Sequence, residues 1–311
     1  MKLSIIIPTY RREHILCDTI DSVLKGISDS KYSKDIELAI IDQTKEHTED
    51  VSDFLKQIAT IDSVTYVYEP KANLPNARNV GLKHTTGEIV CYLDDDIILH
   101  DGFVDKLIER YDNSQIMSVV GQAILKNQNG ENILLDSQGG VKKILRSVIT
   151  KIICINKASV ITPFGIQLSN RDSSAAMRAD AGRGCCMSFR RVVFDYIGMF
   201  DINYIGNALR EETDFFYRMK TNNMTVFFDP DIVLDHIMAN VGGCRNEQKE
   251  AYWKTFFDNQ FYFFRKNYNF PRWYIQLLLF FDVRTLKKNG FDSEKIIEES
   301  YCRAEQLLRQ K

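Results

Sequence analysis

The first hundred residues alternate short apolar runs with amphipathic segments, and this alternation restricts the fold more than any other feature. The apolar runs begin at Leu3, Ile36, Val64 and Ile89. The segments between them place apolar residues three or four positions apart, as in a helix with one buried face. Repeated strand–helix–strand units form a mostly parallel sheet with helices on both faces. The predicted fold class is therefore α/β, with a mostly parallel central sheet flanked by helices.

The later part of the chain divides into a less regular stretch and a helical end. A chain of 311 residues is long enough for one large domain with an appendage. Residues 127–178 mix polar turns with an apolar run, which suggests an insertion. From Glu247 onward, aromatic residues recur at helical spacing. We predict a main domain over 1–246, with halves 1–125 and 126–246, and a C-terminal helical extension over 247–311.

Bulk composition excludes several classes of protein. Lys plus Arg number 40 against 42 for Asp plus Glu, so no nucleic-acid partner is expected. No apolar run approaches the length that spans a bilayer, and no signal peptide is visible after Met1. The seven cysteines include no C-x-x-C pair, which favours reduced thiols. We therefore expect a soluble, cytoplasmic protein.

Polar residues follow three of the predicted strands at the points where the strands end. They are Thr9-Tyr10-Arg11, Asp42 and Asp94-Asp95-Asp96. Ligands of open α/β sheets gather at the carboxyl ends of the strands, so these loops should converge on one crevice. Adjacent carboxylates repel one another, so burying them together costs free energy, and a bound Mg²⁺ or Mn²⁺ would remove that cost. The cation would then face an anionic group such as a diphosphate. The alternative is a solvated acidic turn that caps the next helix.

The second half adds acidic residues, a histidine and an arginine. Glu211, Glu212 and Asp214 fall at a helix start, where carboxylates are favoured by the helix dipole. His236 follows Val233-Leu234-Asp235, and a lone histidine is often structural. Arg245 follows two glycines and could close over the diphosphate as part of a lid. The fingerprint G-x-G-x-x-G is absent after the first strand, which argues against a classical NAD site.

Several motifs occur in the order typical of one family. They are Ser4-Ile5-Ile6-Ile7-Pro8-Thr9-Tyr10-Arg11, Ile41-Asp42, Asn76-Ala77-Arg78-Asn79-Val80-Gly81, Asp94-Asp95-Asp96, Phe189-Arg190-Arg191 and Glu211-Glu212-Thr213-Asp214. Over about residues 2–243 the chain resembles the family-2 inverting glycosyltransferases with the A-type fold. The resemblance implies transfer of a sugar from a nucleotide-diphosphate-sugar donor, with UDP favoured, to an acceptor hydroxyl. It makes 1–125 the donor-binding half and 126–246 the acceptor half.

The resemblance also implies roles for individual residues. Asp96 would be the first metal ligand, aided by Asp94 and His236, with Mn²⁺ or Mg²⁺ as the cofactor. Glu212 would be the general base, with Glu211 as the neighbouring candidate; family members usually have Asp there. Asp42 would contact the nucleotide base. The remaining donor-binding candidates are Pro8, Thr9, Tyr10, Arg11, Arg78, Asn79, Asp94 and Asp95, and the acceptor-side candidates are Gly184 and Asp214.

Two other functions are considered. A sugar nucleotidyltransferase uses a related sheet, but it should show a glycine-rich loop where this chain has Pro8-Thr9-Tyr10. A non-catalytic nucleotide-sugar-binding module would not need Glu212 together with Asp96. The glycosyltransferase hypothesis implies a saccharide or lipid-linked saccharide acceptor, in the synthesis of a cell-surface polysaccharide or glycoconjugate.

The aromatic C-terminal residues allow three interpretations. They could form a hydrophobic cap on the main domain, a homodimer surface, or a shallow contact with a membrane that carries a lipid-linked acceptor. Trp273, Leu277 and Phe281 suit any of these. Packing is favoured because aromatic side chains are mostly core residues. The membrane interpretation would place the protein at the inner face of the cell membrane.

Overall fold

The computed structural model describes residues 2–133, 150, 152–170, 173–238, 242–243 and 249–310. The strands are β1 (Leu3–Thr9), β2 (Ile36–Asp42), β3 (Val64–Tyr68), β4 (Ile89–Leu93), β5 (Ile97–Leu99), β6 (Ser118–Lys126), β7 (Ser159–Ile161), β8 (Gln167–Ser169), β9 (Met177–Ala179), β10 (Cys186–Arg190) and β11 (Val226–Ile237). The helices are α1 (His14–Ser28), α2 (Glu49–Ile58), α3 (Leu74–Lys83), α4 (Phe103–Arg110), α5 (Val192–Ile197), α6 (Glu211–Thr221), α7 (Lys249–Tyr268), α8 (Arg272–Leu278), α9 (Phe280–Lys288) and α10 (Ser293–Arg309).

One large sheet has the strand order β3-β2-β1-β4-β10-β6-β11-β5, and β9 pairs with β11. Strands β3, β2, β1 and β4 are parallel, as the sequence predicts. Strand β10 runs antiparallel to both β4 and β6, and β11 runs antiparallel to β5 and β9. The predicted α/β class is confirmed. The sheet is mixed, and its parallel character is concentrated in the first half.

Successive side chains of a strand point to opposite faces of the sheet, and here helices bury both faces. Leu3, Ile5 and Ile7 of β1 pack against α1, α2 and α4 on one face. Ile6 packs with residues of α3, α5 and α6 on the other face. This explains why β1 is a continuous apolar run rather than an alternating one. The rigid sheet fixes the ends of its strands, where the polar loops begin.

The helices α7 to α10 form a third apolar cluster with Tyr204 of the main domain. Polar contacts join the two parts as well. Lys266 of α7 donates hydrogen bonds to Asp201 and Asp214, each at 2.8 Å. The inner side of the helical extension is thus a hydrophobic cap on the main domain. The division at residue 246 stays a prediction.

Three element ends differ from those that the local sequence predicts, which are a helix end at Gly26, a strand end at Asp229-Pro230 and a single helix over residues 273–281. Helix α1 runs through Gly26 to Ser28, because the added helix propensity of its neighbours outweighs one glycine. Strand β11 continues past Pro230 through an irregularity between Asp229 and Val233. The apolar stretch expected as one helix from Trp273 forms two helices, α8 and α9. No helix among the described residues is long and apolar enough to cross a membrane.

Candidate active site

Strand register brings the three polar loops to one edge of the sheet. Thr9 at the end of β1 pairs with Asp42 at the end of β2. Strand β4 pairs with the other side of β1, so Asp94, Asp95 and Asp96 follow at the same edge. The acidic triplet leads into strand β5 and not into a helix, so it does not act as a helix cap. The loops converge because β1, β2 and β4 run parallel, so that their carboxyl ends lie at the same edge of the sheet.

Asp94, Asp96 and His236 form a group that could hold a metal ion. One ligand atom from each lies within 4.8 Å of the others. Asp96 Oδ1 is buried and accepts no well-aligned hydrogen bond among the described residues, although His236 Nε2 lies 2.9 Å away. Two carboxylate oxygens and an imidazole nitrogen suit Mn²⁺ or Mg²⁺. The residues present therefore fit a divalent cation.

The second oxygen of Asp96 is held by an arginine that the sequence analysis did not select. Arg12 donates from Nε to Asp95 and from a terminal nitrogen to Asp96, both at 3.0 Å. All three side chains are buried. Burial raises the pKa of Asp95 to about 6, against the opposing charge of Arg12. Arg12 thus compensates part of the acidic cluster and orients Asp96 with Oδ1 toward His236.

His236 reaches the site from the end of β11, which pairs with β5. The Asp96 backbone supports this end of the strand, because its carbonyl accepts a hydrogen bond from Ile237 N at 2.8 Å. Burial alone would lower the pKa of His236, but contacts with Asp96 and Cys185 and the charge of Asp94 raise it to about 11. The charged imidazole supplies part of the positive charge that a bound cation would bring. Metal binding would require its deprotonation.

The two adjacent glutamates of α6 have different surroundings. Glu211 is buried and forms an ion pair with Arg78, which is itself 1% exposed. Glu212 is partly exposed and accepts a hydrogen bond from Gly184 N at 3.0 Å. Its charge contributes to a raised pKa at Asp94, chiefly caused by burial. Glu212 is therefore the more accessible of the two carboxylates, and Glu211 is the ion-pair partner of Arg78.

Gly184 lies against this group. A Cβ atom at this position would lie 2.5 Å from Glu212 Oε1 and 2.7 Å from a terminal nitrogen of Arg78. A terminal nitrogen of Arg78 also lies 3.8 Å from a carboxylate oxygen of Asp94. Arg78 thus links the acidic triplet to α6, and a glycine is required for the close approach.

Asp42 has no free carboxylate oxygen in this structure. It is fully buried and accepts hydrogen bonds from Thr44 N at 2.8 Å and Tyr66 Oη at 2.7 Å. His47 Nε2 lies 2.7 Å from the same oxygen as Tyr66. The predicted contact of Asp42 with a nucleotide base would require one of these partners to move. His47 was not identified from the sequence, because nothing in its local pattern points to Asp42.

The loop after β1 contains the other predicted donor contacts. Pro8 and Thr9 are buried within β1, whereas Tyr10 is partly exposed and Arg11 is exposed. The Arg11 guanidinium lies 5.0 Å from the centre of the Tyr10 ring. Gly243 N donates to Tyr10 O at 2.7 Å, so the chain after β11 contacts this loop. Tyr10 and Arg11 are accessible to a ligand, and Pro8 is a strand residue.

Two predicted site residues have structural partners instead. Asn79 is buried, and its amide exchanges two hydrogen bonds with the backbone of Phe200. Asp214 is fully buried and binds Tyr204, Arg218, Lys266 and Asn267. Both side chains are thus engaged in contacts within the protein, and the donor contact of Asn79 and the acceptor-side role of Asp214 stay predictions. Arg245 lies outside the described residues.

Solved structures share this fold at low sequence identity. The mannosyltransferase PcManGT from Pyrobaculum calidifontis, in complex with GDP-Man and Mn²⁺, aligns with a TM-score of 0.55 and 15% identity over 87% of this chain and 65% of its own. GalNAc-T7 with UDP, GalNAc and Mn²⁺ aligns with a TM-score of 0.62 and 15% identity over 87% of this chain and 52% of its own. The architecture is therefore that of the A-type glycosyltransferases.

Sequence comparison defines the family. The model of glycosyl transferase family 2 matches residues 4–195, which is more than half of the chain. The protein belongs to glycosyl transferase family 2. Similar curated proteins include the poly(ribitol-phosphate) beta-N-acetylglucosaminyltransferase TarP of Staphylococcus aureus, 36% identical over 34% of this chain and 32% of TarP. An uncharacterized glycosyltransferase of Rickettsia bellii is 23% identical over 74% of this chain and 30% of its own length. The chain spans about a third of the length of these two relatives.

Proposed function

We propose that the protein is a metal-assisted, inverting glycosyltransferase that uses a nucleotide-diphosphate-sugar donor. The observation that carries this proposal is the convergence of Asp94, Asp96 and His236 beside Glu212 at one sheet edge. A cation site and a reachable carboxylate are the two parts that a single in-line displacement needs. Membership of the family and the Mn²⁺ in both structural relatives support the same assignment.

In the proposed reaction, the acceptor hydroxyl oxygen attacks the anomeric carbon of the donor sugar. The new glycosidic C–O bond forms while the bond to the diphosphate breaks, and the nucleoside diphosphate leaves with the bonding electron pair. Glu212 takes the acceptor proton, and the Gly184 N–H holds the carboxylate in place. Asp94, Asp96 and His236 would hold a divalent cation, which would supply Lewis acidity for the leaving diphosphate. Arg12 keeps Asp96 oriented before donor binding.

The donor and acceptor are proposed by class. Tyr10 is partly exposed and Arg11 is exposed, which supports a contact of both with a nucleotide bound at this sheet edge. We propose a UDP-type donor and a saccharide acceptor, free or lipid-linked, in the synthesis of a cell-surface polysaccharide or glycoconjugate. TarP, by its name, acts on a phosphate-containing polymer, which is compatible with a large acceptor.

The location and assembly of the protein also belong to this proposal. The six cysteines among the described residues are free thiols, and four of them are buried, which favours a reducing compartment such as the cytoplasm. Work at the inner face of the cell membrane would suit a lipid-linked acceptor. A homodimer is the alternative use of the exposed C-terminal surface.

Calorimetric titration with UDP, dTDP, GDP and CDP, each with and without Mn²⁺, tests the donor site. We expect one diphosphate to bind measurably more tightly when Mn²⁺ is present. Asp96→Ala should remove the metal dependence, whereas Asp112→Ala, which changes an exposed aspartate after α4, should keep it. Absence of nucleotide binding in every condition would contradict the proposed donor site.

Product analysis separates the remaining alternatives. A sugar nucleotidyltransferase would form a nucleotide sugar and pyrophosphate from a nucleoside triphosphate and a sugar phosphate. A non-catalytic module would bind the diphosphate and turn nothing over. Release of nucleoside diphosphate that depends on an added saccharide acceptor would favour the glycosyltransferase over both. The anomeric configuration of the product, read by NMR, would test inversion.

A further inference from the structure

The outer face of α8 and α9 combines exposed apolar and basic side chains. Trp273, Leu277, Phe280 and Phe281 are 67%, 61%, 52% and 71% exposed. Their inner neighbours Ile275 and Leu286 are fully buried in the aromatic cluster of the extension. The two helices therefore pack through one side and leave large apolar groups uncovered on the other. Exposed apolar groups of this size, gathered on one surface, mark an interaction site.

Three basic residues lie on the same side of α9 as the two phenylalanines. Phe280, Arg284 and Lys287 follow the helical spacing i, i+4 and i+7, and Phe281, Arg284 and Lys288 follow i, i+3 and i+7. All three basic residues are exposed, and none forms an ion pair within the described part of the chain. We define the outer face as Trp273, Leu277, Phe280, Phe281, Arg284, Lys287 and Lys288.

The only acidic residue of α9 points the other way. Asp282 lies about 160° around the helix from the centre of the outer face, by the 100° rotation per residue of an α-helix. It acts electrostatically on Arg210, which immediately precedes Glu211 and Glu212. Of the charged residues of α9, the outer face therefore carries only the basic ones, and the inner side of α9 is directed toward the start of α6.

We propose that the outer face docks on an anionic lipid surface. Aromatic and aliphatic side chains next to Lys and Arg match the acyl–headgroup boundary of a membrane with acidic lipids. A second copy of the chain fits less well. A twofold contact uses the same patch on both subunits, so the basic residues Arg284, Lys287 and Lys288 of one copy would face a patch that carries the same positive charges. Charge complementarity thus selects the anionic surface as the occupant.

Vesicle binding by the full chain tests the proposal with no need for donor, acceptor or metal. The chain contains two tryptophans, so Trp253→Phe leaves Trp273 as the only tryptophan fluorophore. Vesicles of phosphatidylcholine with phosphatidylglycerol should shift its emission to shorter wavelength, and pure phosphatidylcholine should bind much more weakly. Each basic residue near an anionic surface contributes about fivefold in affinity, so three give a preference of roughly a hundredfold at low salt.

Matched variants locate the contact. Arg284→Glu with Lys288→Glu should abolish the preference for anionic vesicles, and Phe281→Ser should weaken binding to them. The control pair Lys45→Glu with Lys83→Glu makes the same charge change at exposed sites on the main domain and should retain most of the binding. Tyr196→Ser, at a 74% exposed aromatic residue of α5, is the control for Phe281→Ser.

Three outcomes would overturn the proposal. One is the absence of binding to anionic vesicles, and another is binding that the outer-face variants leave unchanged. The third is a stable dimer in light scattering that Phe281→Ser dissociates, because the occupant would then be a second copy. Nucleotide binding is measured separately, so failure here is distinguishable from failure of the proposed transferase activity.

Discussion

The neighbouring glutamates Glu211 and Glu212 should respond in opposite ways to the same substitution. Glu211→Gln removes the charge that compensates the buried Arg78, whose remaining ion-pair partner among the described residues is Asp94, at 3.8 Å. Removing one partner of a buried ion pair costs about 3–5 kcal/mol. At roughly 2–3 °C per kcal/mol for a chain of this size, the unfolding temperature should fall by about 6–15 °C.

Glu212→Gln should leave the fold nearly unchanged and stop the reaction. The Gln amide oxygen can still accept the hydrogen bond from Gly184, so the loss of stability should stay below about 1 kcal/mol. Loss of a general base lowers turnover by about 10²–10⁴-fold. The turnover of Glu212→Gln is compared with that of wild type at a temperature where both are folded.

Thermal unfolding of the two variants, followed by circular dichroism, separates the roles. The double variant Arg78→Met with Glu211→Leu serves as control, since replacing both members of a buried pair costs less than removing one. Equal destabilisation by the two Glu→Gln changes would refute this assignment. So would an active Glu212→Gln variant.

Three further predictions concern single contacts. Gly184→Ala should displace Glu212, and it should therefore reduce turnover by about 10²-fold while nucleotide binding is kept. The control Gly26→Ala, whose added Cβ meets nothing closer than 3.2 Å, should leave turnover unchanged. Steady-state kinetics measures turnover, and calorimetry measures nucleotide binding. Arg12→Ala should lower the unfolding temperature most strongly in EDTA and be partly restored by Mn²⁺, because a cation replaces the lost charge; an equal loss in both conditions would contradict this. The pKa of Asp201 is held well below its usual range, where its lysine partner and hydrogen bonds outweigh the effect of burial. This stabilisation exists above about pH 4 and is lost as the pH falls, so Asp201→Asn should cost about 2 kcal/mol at pH 7 and progressively less below pH 4 in urea unfolding.

The sequence predicts the first half of the fold well, because local patterns determine it. The runs beginning at Leu3 and Ile36 are continuous and apolar, and such strands are buried in parallel sheets. The ends of these strands also locate the acidic triplet correctly. Pro230 predicts a strand end, because a proline usually ends a central strand, but β11 continues through an irregularity that leaves no clear sequence signal.

Individual site residues were harder to predict, since their roles depend on partners far away in sequence. Arg12 and Asp96 are separated by 84 positions, and only the fold shows that they form a pair. Glu211 and Glu212 look equivalent in the sequence, yet one is buried and the other is not. Burial is a property of the assembled structure, so neighbouring carboxylates cannot be ranked before the fold is known.

The irregularity in β11 affects which changes in sequence length this protein can tolerate in evolution. Asp229 pairs with Gly121, and the next paired residue, Val233, faces Gln122, so three residues are inserted on one side of the ladder. An odd insertion reverses which side chains of the following residues point to each face. A deletion of one residue that the irregular segment did not absorb would slip the following ladder by one position and turn His236 away from Asp96, although neither residue had been altered. Length changes near Pro230 should therefore be tolerated where the irregular segment absorbs them and Val233 stays opposite Gln122.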